Sequence, residues 1–489
     1  MGDRLAAPLH LRQHTLVKRA SPPLDIYFLG IAGAGMSALA SVLVSEGHRV
    51  FGSDSGVFPP VTTYLDRMGV AWRDGFDAGR LPERIDAAII GSSAKLDLAH
   101  NPELAELIRR GVPRYSFAEF LGQHTEGRDN LVIAGSFGKS TLTALCAVLM
   151  REAGLDPGYF IGAVPLDLET TGHGGTDSAF LIEGDEYIVG AEDRRSKFAL
   201  YHPSSLLISS IIHDHLNVFP TLASYEAPFA ALVESLPAEA LLVCAHAYPA
   251  LHRIIVGRRV MWYGREPCPG YFADGVAIGE TTRFDLVTPG GARISLATEL
   301  LGLHNIENIV GAAAFLLERG DIDAAALQRG VARFRGVARR LDKKTTVSRV
   351  PVYEGFGSSY EKARSAIEAI LLHFPNRPVV VIFEPHTFSW RNAASLPWYD
   401  SIFAGVDQVI LMPPPSHGAQ GHDQLDQADI LARIAGAGVS VVAVAGGAEA
   451  ISRLDGQLGG DEVILLLSSG PLDGLAETLP PRLDARFAG

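Results

Sequence analysis

The 489-residue chain has only three cysteines, Cys146, Cys244 and Cys268, far apart and without a CxxC pair. This excludes the disulfide framework of a small secreted protein and points to a reducing compartment. No uncharged run approaches the ~18 residues that would span a bilayer, and the first twenty residues lack the compact apolar core of a secretory signal. A cytoplasmic protein with no membrane partner is expected, the segment before Asp25 being a loose extension. Positive charge is also short, with 42 Lys and Arg against 55 Asp and Glu and a formal charge of -13. That balance argues against a nucleic acid held through a general positive field. No repeat of fixed period and no low-complexity tract is present, and Pro413-Pro414-Pro415 reads as a turn.

The length and the 47% hydrophobic content leave room for about three domains with real cores. From Asp25 the chain alternates short apolar runs with helical stretches. His48 to Gly52, Ala87 to Gly91 and Val112 to Tyr115 read as strands up to a polar stretch at Gln123–Asn130. A second series starts at Leu131–Ala134, with Phe180–Ile182 and Ser205–Ile208, and runs to about Arg335. A third begins near Val350 and includes Pro378–Phe383, Gln408–Met412, Val439–Val444 and Glu462–Leu467. Strand followed by helix, repeated, predicts an α/β protein with largely parallel sheets. We expect a Rossmann-like N-terminal domain (23–127), a central P-loop ATPase-like domain (128–337) and a C-terminal Rossmann-like domain (338–489).

Two glycine-rich turns carry the chemistry. The first, Gly30-Ile31-Ala32-Gly33-Ala34-Gly35-Met36, follows a strand and opens a helix, with Asp54 about twenty residues on. Backbone N–H groups can approach a diphosphate there because side chains are absent. On this turn alone a dinucleotide dehydrogenase, with Asp54 on a ribose hydroxyl, is the rival reading. The second, Gly135-Ser136-Phe137-Gly138-Lys139-Ser140-Thr141, is a shortened phosphate loop. Lys139 would sit on the β- and γ-phosphates of ATP and the Ser140 hydroxyl on Mg²⁺. Two downstream strand ends, Ile182-Glu183-Gly184-Asp185-Glu186 and His213-Asp214-His215, offer oxygen and imidazole donors for that metal.

In this order the motifs resemble the Mur ligase family of peptidoglycan synthesis over nearly the whole chain from about residue 25. Gly30 to Ser37, Ser53-Asp54, Ser92-Ser93-Ala94 and Asn101-Pro102-Glu103 are similar to the family's UDP-binding domain. The resemblance implies that Gly30, Ala32, Gly33, Ala34, Gly35, Met36, Ser53, Asp54 and Ser93 meet the UDP-sugar. Val57 to Thr63 and Arg195-Ser196-Lys197-Phe198 point to the murein-peptide recycling branch. The resemblance also implies metal ligation by Ser140, Glu183 and His215, nucleotide contacts from His304 and Asn305, and a γ-phosphate contact from Arg340. Glu384-Pro385-His386-Thr387 with Arg391 resembles a third-domain loop, so His386 and Arg391 would position the amine substrate's carboxylate. Ser468-Ser469-Gly470 is similar to a loop that approaches the amine. The implied reaction activates a carboxylate, UDP-N-acetylmuramate or similar, as an acyl phosphate and joins it to an amino acid or short peptide, using ATP and Mg²⁺.

The departures cluster on the third-domain side. The family's Asp-Asp-(Tyr/Phe)-Ala-His-His-Pro segment reads here Glu354-Gly355-Phe356-Gly357-Ser358-Ser359-Tyr360. Ser136 and Phe137 replace a Thr and a His or Asn, and Ser209-Ser210 replaces an Asn-Asn. Serine does not ionise near neutral pH, so the way nucleotide and amine are held is altered. Two alternatives follow: a specialised-pathway ligase with a non-peptidoglycan substrate, or a non-catalytic paralogue that still binds a UDP-sugar or ATP.

Overall fold

The computed structural model describes residues 22–57, 61–92, 96, 100–190, 192–415 and 424–489. The expected segments before Asp25, around Phe58-Pro59-Pro60 and at Ser93-Ala94 therefore lie wholly or partly outside the described residues.

Strand Asp25–Leu29 is buried along its whole length, as a central parallel strand covered on both faces must be. It anchors a five-stranded parallel sheet in the order Ala71–Asp74, Arg49–Asp54, Asp25–Leu29, Ala87–Ile90, Arg114–Ser116. The order reverses at Asp25–Leu29, where the first glycine-rich turn leads into helix Ala34–Ser45. Asn101 and Ser116 cap the helices that follow them: Asn101 Oδ1 accepts from Glu103 and Leu104 N–H, and Ser116 with Glu119 forms a reciprocal capping box.

The second sheet has ten strands, in the order Arg293–Thr298, Thr282–Val287, Gly270–Ala277, Met261–Gly264, Leu242–Ala245, Ser205–Ile208, Asp129–Ala134, Ala179–Gly184, Gly158–Phe160, Gly172–His173. Its middle is parallel as expected. Beyond the expected parallel middle lies an antiparallel extension, in which three strands, Gly270 to Thr298, fold back on one another. Helix Lys139–Glu152, directly after Asp129–Ala134, has a continuous buried stretch from Ser140 to Met150 and lies within the core.

The third sheet has the order Arg340–Lys343, Val352–Phe356, Val463–Ser468, Val379–Phe383, Gln408–Leu411, Ser440–Ala443, with only its first pair antiparallel. Apolar clusters pack on both faces, around Ile367 and Phe383 on one and Ile382 and Leu454 on the other.

The first two sheets share one continuous apolar core running from Ile26 through Leu121 to Phe315. Helix Ala34–Ser45 approaches the edge strand so closely that a Cβ on Gly172 would lie 2.1 Å from the Ala38 carbonyl oxygen, and the Ser41 hydroxyl donates to the Gly172 carbonyl at 2.7 Å. The third sheet keeps its own clusters and meets the rest through few groups, among them Leu301, His373, an Arg377–Glu280 ion pair at 2.7 Å, and Arg340.

The connection between the first two strands of the third sheet is tied to the final helix, Leu475–Arg486, by Asp484. Its carboxylate accepts from the N–H groups of Thr346, Val347 and Ser348 and from the Thr346 hydroxyl, at 2.8–3.0 Å. Burial opposes the charge, but these donors outweigh it and hold the carboxyl below its usual range. A group with a depressed folded-state value stabilises fully above its unfolded value near pH ~4, and that contribution is lost as pH falls through the folded value. Asp484→Asn, whose amide turns an N–H toward the donors, is expected to lower unfolding free energy at pH 7 by about 1–3 kcal/mol. Urea titrations at pH 7 and in acid should show the gap from the native protein closing as Asp484 protonates.

Candidate active site

Gly135 leaves strand Asp129–Ala134 at φ 135°, and Gly138 caps helix Lys139–Glu152 at φ 81°. Both glycines are required by close approach as well as by φ. A Cβ on Gly135 would lie 2.2 Å from Ser209 Oγ, and one on Gly138 2.6 Å from Asn308 Oδ1. Ser209 and Ser210, where an Asn pair was expected from the resemblance, hold the loop from the neighbouring strand end: Ser210 Oγ accepts from Phe137 N–H at 3.1 Å, and Ser209 Oγ donates to the Phe137 carbonyl at 2.5 Å. Phe137 itself projects half-exposed from the loop. Thr141 is buried in the first helical turn.

Lys139 Nζ donates to the Gly135 carbonyl at 2.6 Å and to Glu186 Oε2 at 2.8 Å, with the Ser136 carbonyl at 3.4 Å. The Glu186 side chain is 1% exposed. It also accepts from the Tyr225 hydroxyl at 3.1 Å and faces His215 Nε2 at 3.6 Å. Tyr225 in turn lies 2.8 Å from Ser136 Oγ, closing a network from phosphate loop to strand end. Glu186, supported by Asp214 and Asp185, raises the His215 imidazole above its ordinary range against the effect of partial burial.

Ser140 Oγ donates to Glu183 Oε1 at 2.7 Å, and Gly162 N–H donates to the other Glu183 oxygen at 2.6 Å. Ser140 and Glu183 are thus brought together, while His215 stands beside Glu186. Among the described residues no three or more of His, Cys, Asp and Glu gather into a metal cage. From the third sheet, Arg340 donates to Ser140 Oγ at 3.3 Å. Its neighbours Arg339 and Leu341 have φ of 63° and 60°, a left-handed backbone that non-glycine residues adopt at a cost of about 1 kcal/mol or more each. The alternation turns the adjacent arginines apart. Arg339 is held inside the third sheet, donating to the Gly470 carbonyl at 2.8 Å and pairing with Glu354 at 3.1 Å, with its guanidinium over the Phe356 ring.

His304 and Asn305 lie at the start of helix Leu303–Arg319. His304 keeps an exposed edge, yet desolvation, with Arg340 and His373 adding, pushes its imidazole below its ordinary range. Asn305 Oδ1 accepts from Asn308 Nδ2 at 3.1 Å, and Asn308 is the residue pressed against Gly138. The second turn, the Glu183 strand end and this helix start therefore converge.

In the first sheet, Gly30 (φ 87°) and Ile31 donate to the Ser53 carbonyl, and Asp54 Oδ2 accepts from Ala32 N–H at 2.9 Å. Asp54 Oδ1 takes the Ser55 N–H at 2.8 Å, so both oxygens brace backbone, which disfavours the ribose-holding role of the dehydrogenase reading. Gly33 and Ala34 are exposed at the helix start, while a Cβ on Gly35 would press on the Phe117 ring at 3.1 Å and Met36 is buried. Ser53, expected among the UDP-sugar contacts, is fully buried. The reason is Glu103: its inward-turned carboxylate requires donors and takes the Ser53 hydroxyl at 2.5 Å, the Tyr27 hydroxyl at 2.9 Å and Asp77 N–H at 2.9 Å. Ser93 lies outside the described residues.

In the third sheet, His386 Nδ1 is 3.5 Å from Glu384 Oε1, and Glu384 Oε2 accepts the Ser468 hydroxyl at 2.5 Å. Arg391, expected on the amine's carboxylate, is instead buried, and its guanidinium donates to the Pro415 carbonyl and Gln424 Oε1. Burying a guanidinium demands such acceptors, and here Pro415 and Gln424 supply them. Ser359, at one lost histidine position, caps helix Tyr360–His373. The Ser358 carbonyl accepts from the Thr387 and Ser389 hydroxyls.

Two family models match: the "Mur ligase family, catalytic domain" over residues 25–128 and the "Mur ligase middle domain" over 133–316. UDP-N-acetylmuramate--L-alanine ligase of Roseiflexus castenholzii is 30% identical over 407 residues, 79% of this chain and 82% of that one. Among solved structures, UDP-N-acetylmuramate-alanine ligase from Thermotoga maritima superimposes with a TM-score of 0.76 at 20% identity, covering 95% of this chain and all of the other. UDP-N-acetylmuramate:L-alanyl-gamma-D-glutamyl-meso-diaminopimelate ligase from Neisseria meningitides does so with a TM-score of 0.58 at 27% identity, over 65% of this chain and all of that one.

Proposed function

Since the chain belongs to the Mur ligase family of three-domain, ATP-dependent, amide-bond-forming ligases, we propose that it activates UDP-N-acetylmuramate, or a similar carboxylate, as an acyl phosphate and couples it to an amino acid or short peptide. The observation that carries this reading is the reach of Arg340 from the third sheet to Ser140 in the phosphate loop. It sets two cations, Lys139 and Arg340, around the start of one helix, where charge on a transferring phosphoryl group is offset. The three sheets supply the three functions in turn: residues 23–127 the carboxylate, 128–337 the nucleotide, 338–489 the amine.

The residues present fit Mg²⁺. Magnesium takes oxygen ligands, commonly one or two carboxylates completed by substrate phosphates, and the Ser140–Glu183 oxygen pair at the phosphate loop matches that chemistry. Ser140 and Glu183 would hold the ion, with His215 a nitrogen donor nearby. When bound, the metal neutralises phosphate charge. Lys139 is placed to exchange Glu186 for phosphate oxygens, and Arg340 to bring the third domain against the reacting group. His304 and Asn305 meet the nucleotide, the Gly30–Met36 turn receives the diphosphate of the UDP-sugar, and His386 lies on the amine side. Among the described residues no helix is long and apolar enough to cross a membrane.

A specialised amine partner is the second reading, favoured by Ser359, whose hydroxyl is engaged in capping a helix where the family places an imidazole. The test is phosphate release from ATP and Mg²⁺ with UDP-N-acetylmuramate and a panel of amino acids and peptides. Amine-dependent release supports the ligase, and the most effective amine separates the two readings. ATP or UDP-sugar binding without release for any pair would sink both in favour of a non-catalytic paralogue.

A further inference from the structure

His373 ends helix Tyr360–His373 of the third domain, yet its buried imidazole is bonded to the central domain on both nitrogens. Nε2 accepts the Gly302 N–H at 2.8 Å, and Nδ1 lies 2.8 Å from the Gly279 carbonyl oxygen. An N–H can only donate and a carbonyl can only accept, so these partners select the neutral ring with its proton on Nδ1. Burial favours the same neutral state.

The group that His373 holds is the last residue before the nucleotide-facing helix. Gly302, at φ 91°, caps helix Leu303–Arg319, and a Cβ there would lie 2.6 Å from His304 Cε1. The turn is thus pinned from three sides: by His373, by the His304 ring, and by Asn305 Nδ2 donating to the Leu301 carbonyl at 2.8 Å. From Asn305 the contacts continue through Asn308 to Gly138 of the phosphate loop. The third domain meets the rest of the molecule through few groups, and this one bears on the nucleotide site through a continuous chain of packed atoms.

We propose that His373 is a positioning residue for ATP, fixing the Gly302–Asn305 turn from the third domain so that His304 and Asn305 are set for the nucleotide. The proposal rests on the ligase reading. It makes ATP affinity depend on the seating of the amine-binding domain through one imidazole, in addition to the Arg340 contact.

The test compares the native full-length chain with His373→Ala and His373→Gln, measuring ADP binding with Mg²⁺ by calorimetry, KM for ATP, KM for UDP-N-acetylmuramate and kcat, with thermal unfolding as the folding control. Loss of the hydrogen bond to Gly302 at the turn is expected to weaken ADP binding and raise the ATP KM about tenfold in the alanine variant. The KM for UDP-N-acetylmuramate should stay unchanged and kcat within about threefold, glutamine restoring part of the loss. A folded alanine variant with native ADP affinity, or one in which both KM values rise equally, would overturn the proposal. Should the alanine variant not fold, ¹⁵N-histidine spectra of the native protein decide. His373 should show the Nδ1–H tautomer and shift on addition of ADP and Mg²⁺; the other tautomer, or no shift, overturns it. A native protein that binds no ADP would remove the ligase reading itself, a result distinct from native binding that ignores residue 373.

Discussion

Lys139→Ala should lower amine-dependent phosphate release by at least ~10²–10³-fold, the scale of removing one fixed donor from a developing anion. The variant also alters the resting protein, because Lys139 is the cation 2.8 Å from a carboxylate that is 1% exposed. Stripped of it, Glu186 keeps, among the described residues, the Tyr225 hydroxyl and His215. Lower thermal stability should therefore accompany the lost turnover. The double variant Lys139→Ala/Glu186→Gln separates the two effects, since a neutral amide no longer needs the ammonium. Stability should return while phosphate release stays absent. Near-native release by the single variant would remove Lys139 from the catalytic set.

Glu186→Ala probes the other half of the pair. Breaking a buried ion pair by removing one partner costs about 3–5 kcal/mol. The lower end applies here, because the ammonium keeps the Gly135 and Ser136 carbonyls as acceptors. Chemical denaturation of the nucleotide-free protein should show this loss, and Glu186→Gln a smaller one. Saturating ATP should narrow the gap, since phosphate oxygens replace the missing carboxylate and a ligand that binds only the folded state stabilises it. A gap that stays constant with nucleotide would mean that Lys139 does not change partners on binding.

Glu186 also marks where sequence reading stops. The turn at 135–141 stands out in the sequence because a Gly-Lys-Ser between a strand and a helix has few other uses, and Glu183 because it lies near the end of the adjacent strand. Glu186 stands three residues further along, in an acidic run that reads equally well as a solvated loop. It is buried against Lys139 and Tyr225, tertiary partners that no periodicity reports. Ser53, which the resemblance puts at the UDP-sugar, gives its hydroxyl to a buried Glu103 fifty residues away, a partner that no local pattern reports. Arg339 and Arg340 are indistinguishable as letters, and the positive φ at 339 and 341 sends one inward and the other to the phosphate loop. The alternation of strands and helices gave the α/β architecture and its parallel cores. The hairpin extension from Gly270 to Thr298 was missed because its half-exposed strands carry too little apolar signal to stand out from loop.

The distribution of apolar clusters bears on how such a protein can change over generations. The first two sheets are welded through one core, so a substitution at their boundary must be matched by its neighbours across the weld. The third sheet keeps its own clusters and meets the rest through a handful of polar tethers. Its loops are therefore free to drift without disturbing the packing that supports nucleotide chemistry. That separation lets the third sheet's loops accept substitutions that the shared core of the first two sheets would resist.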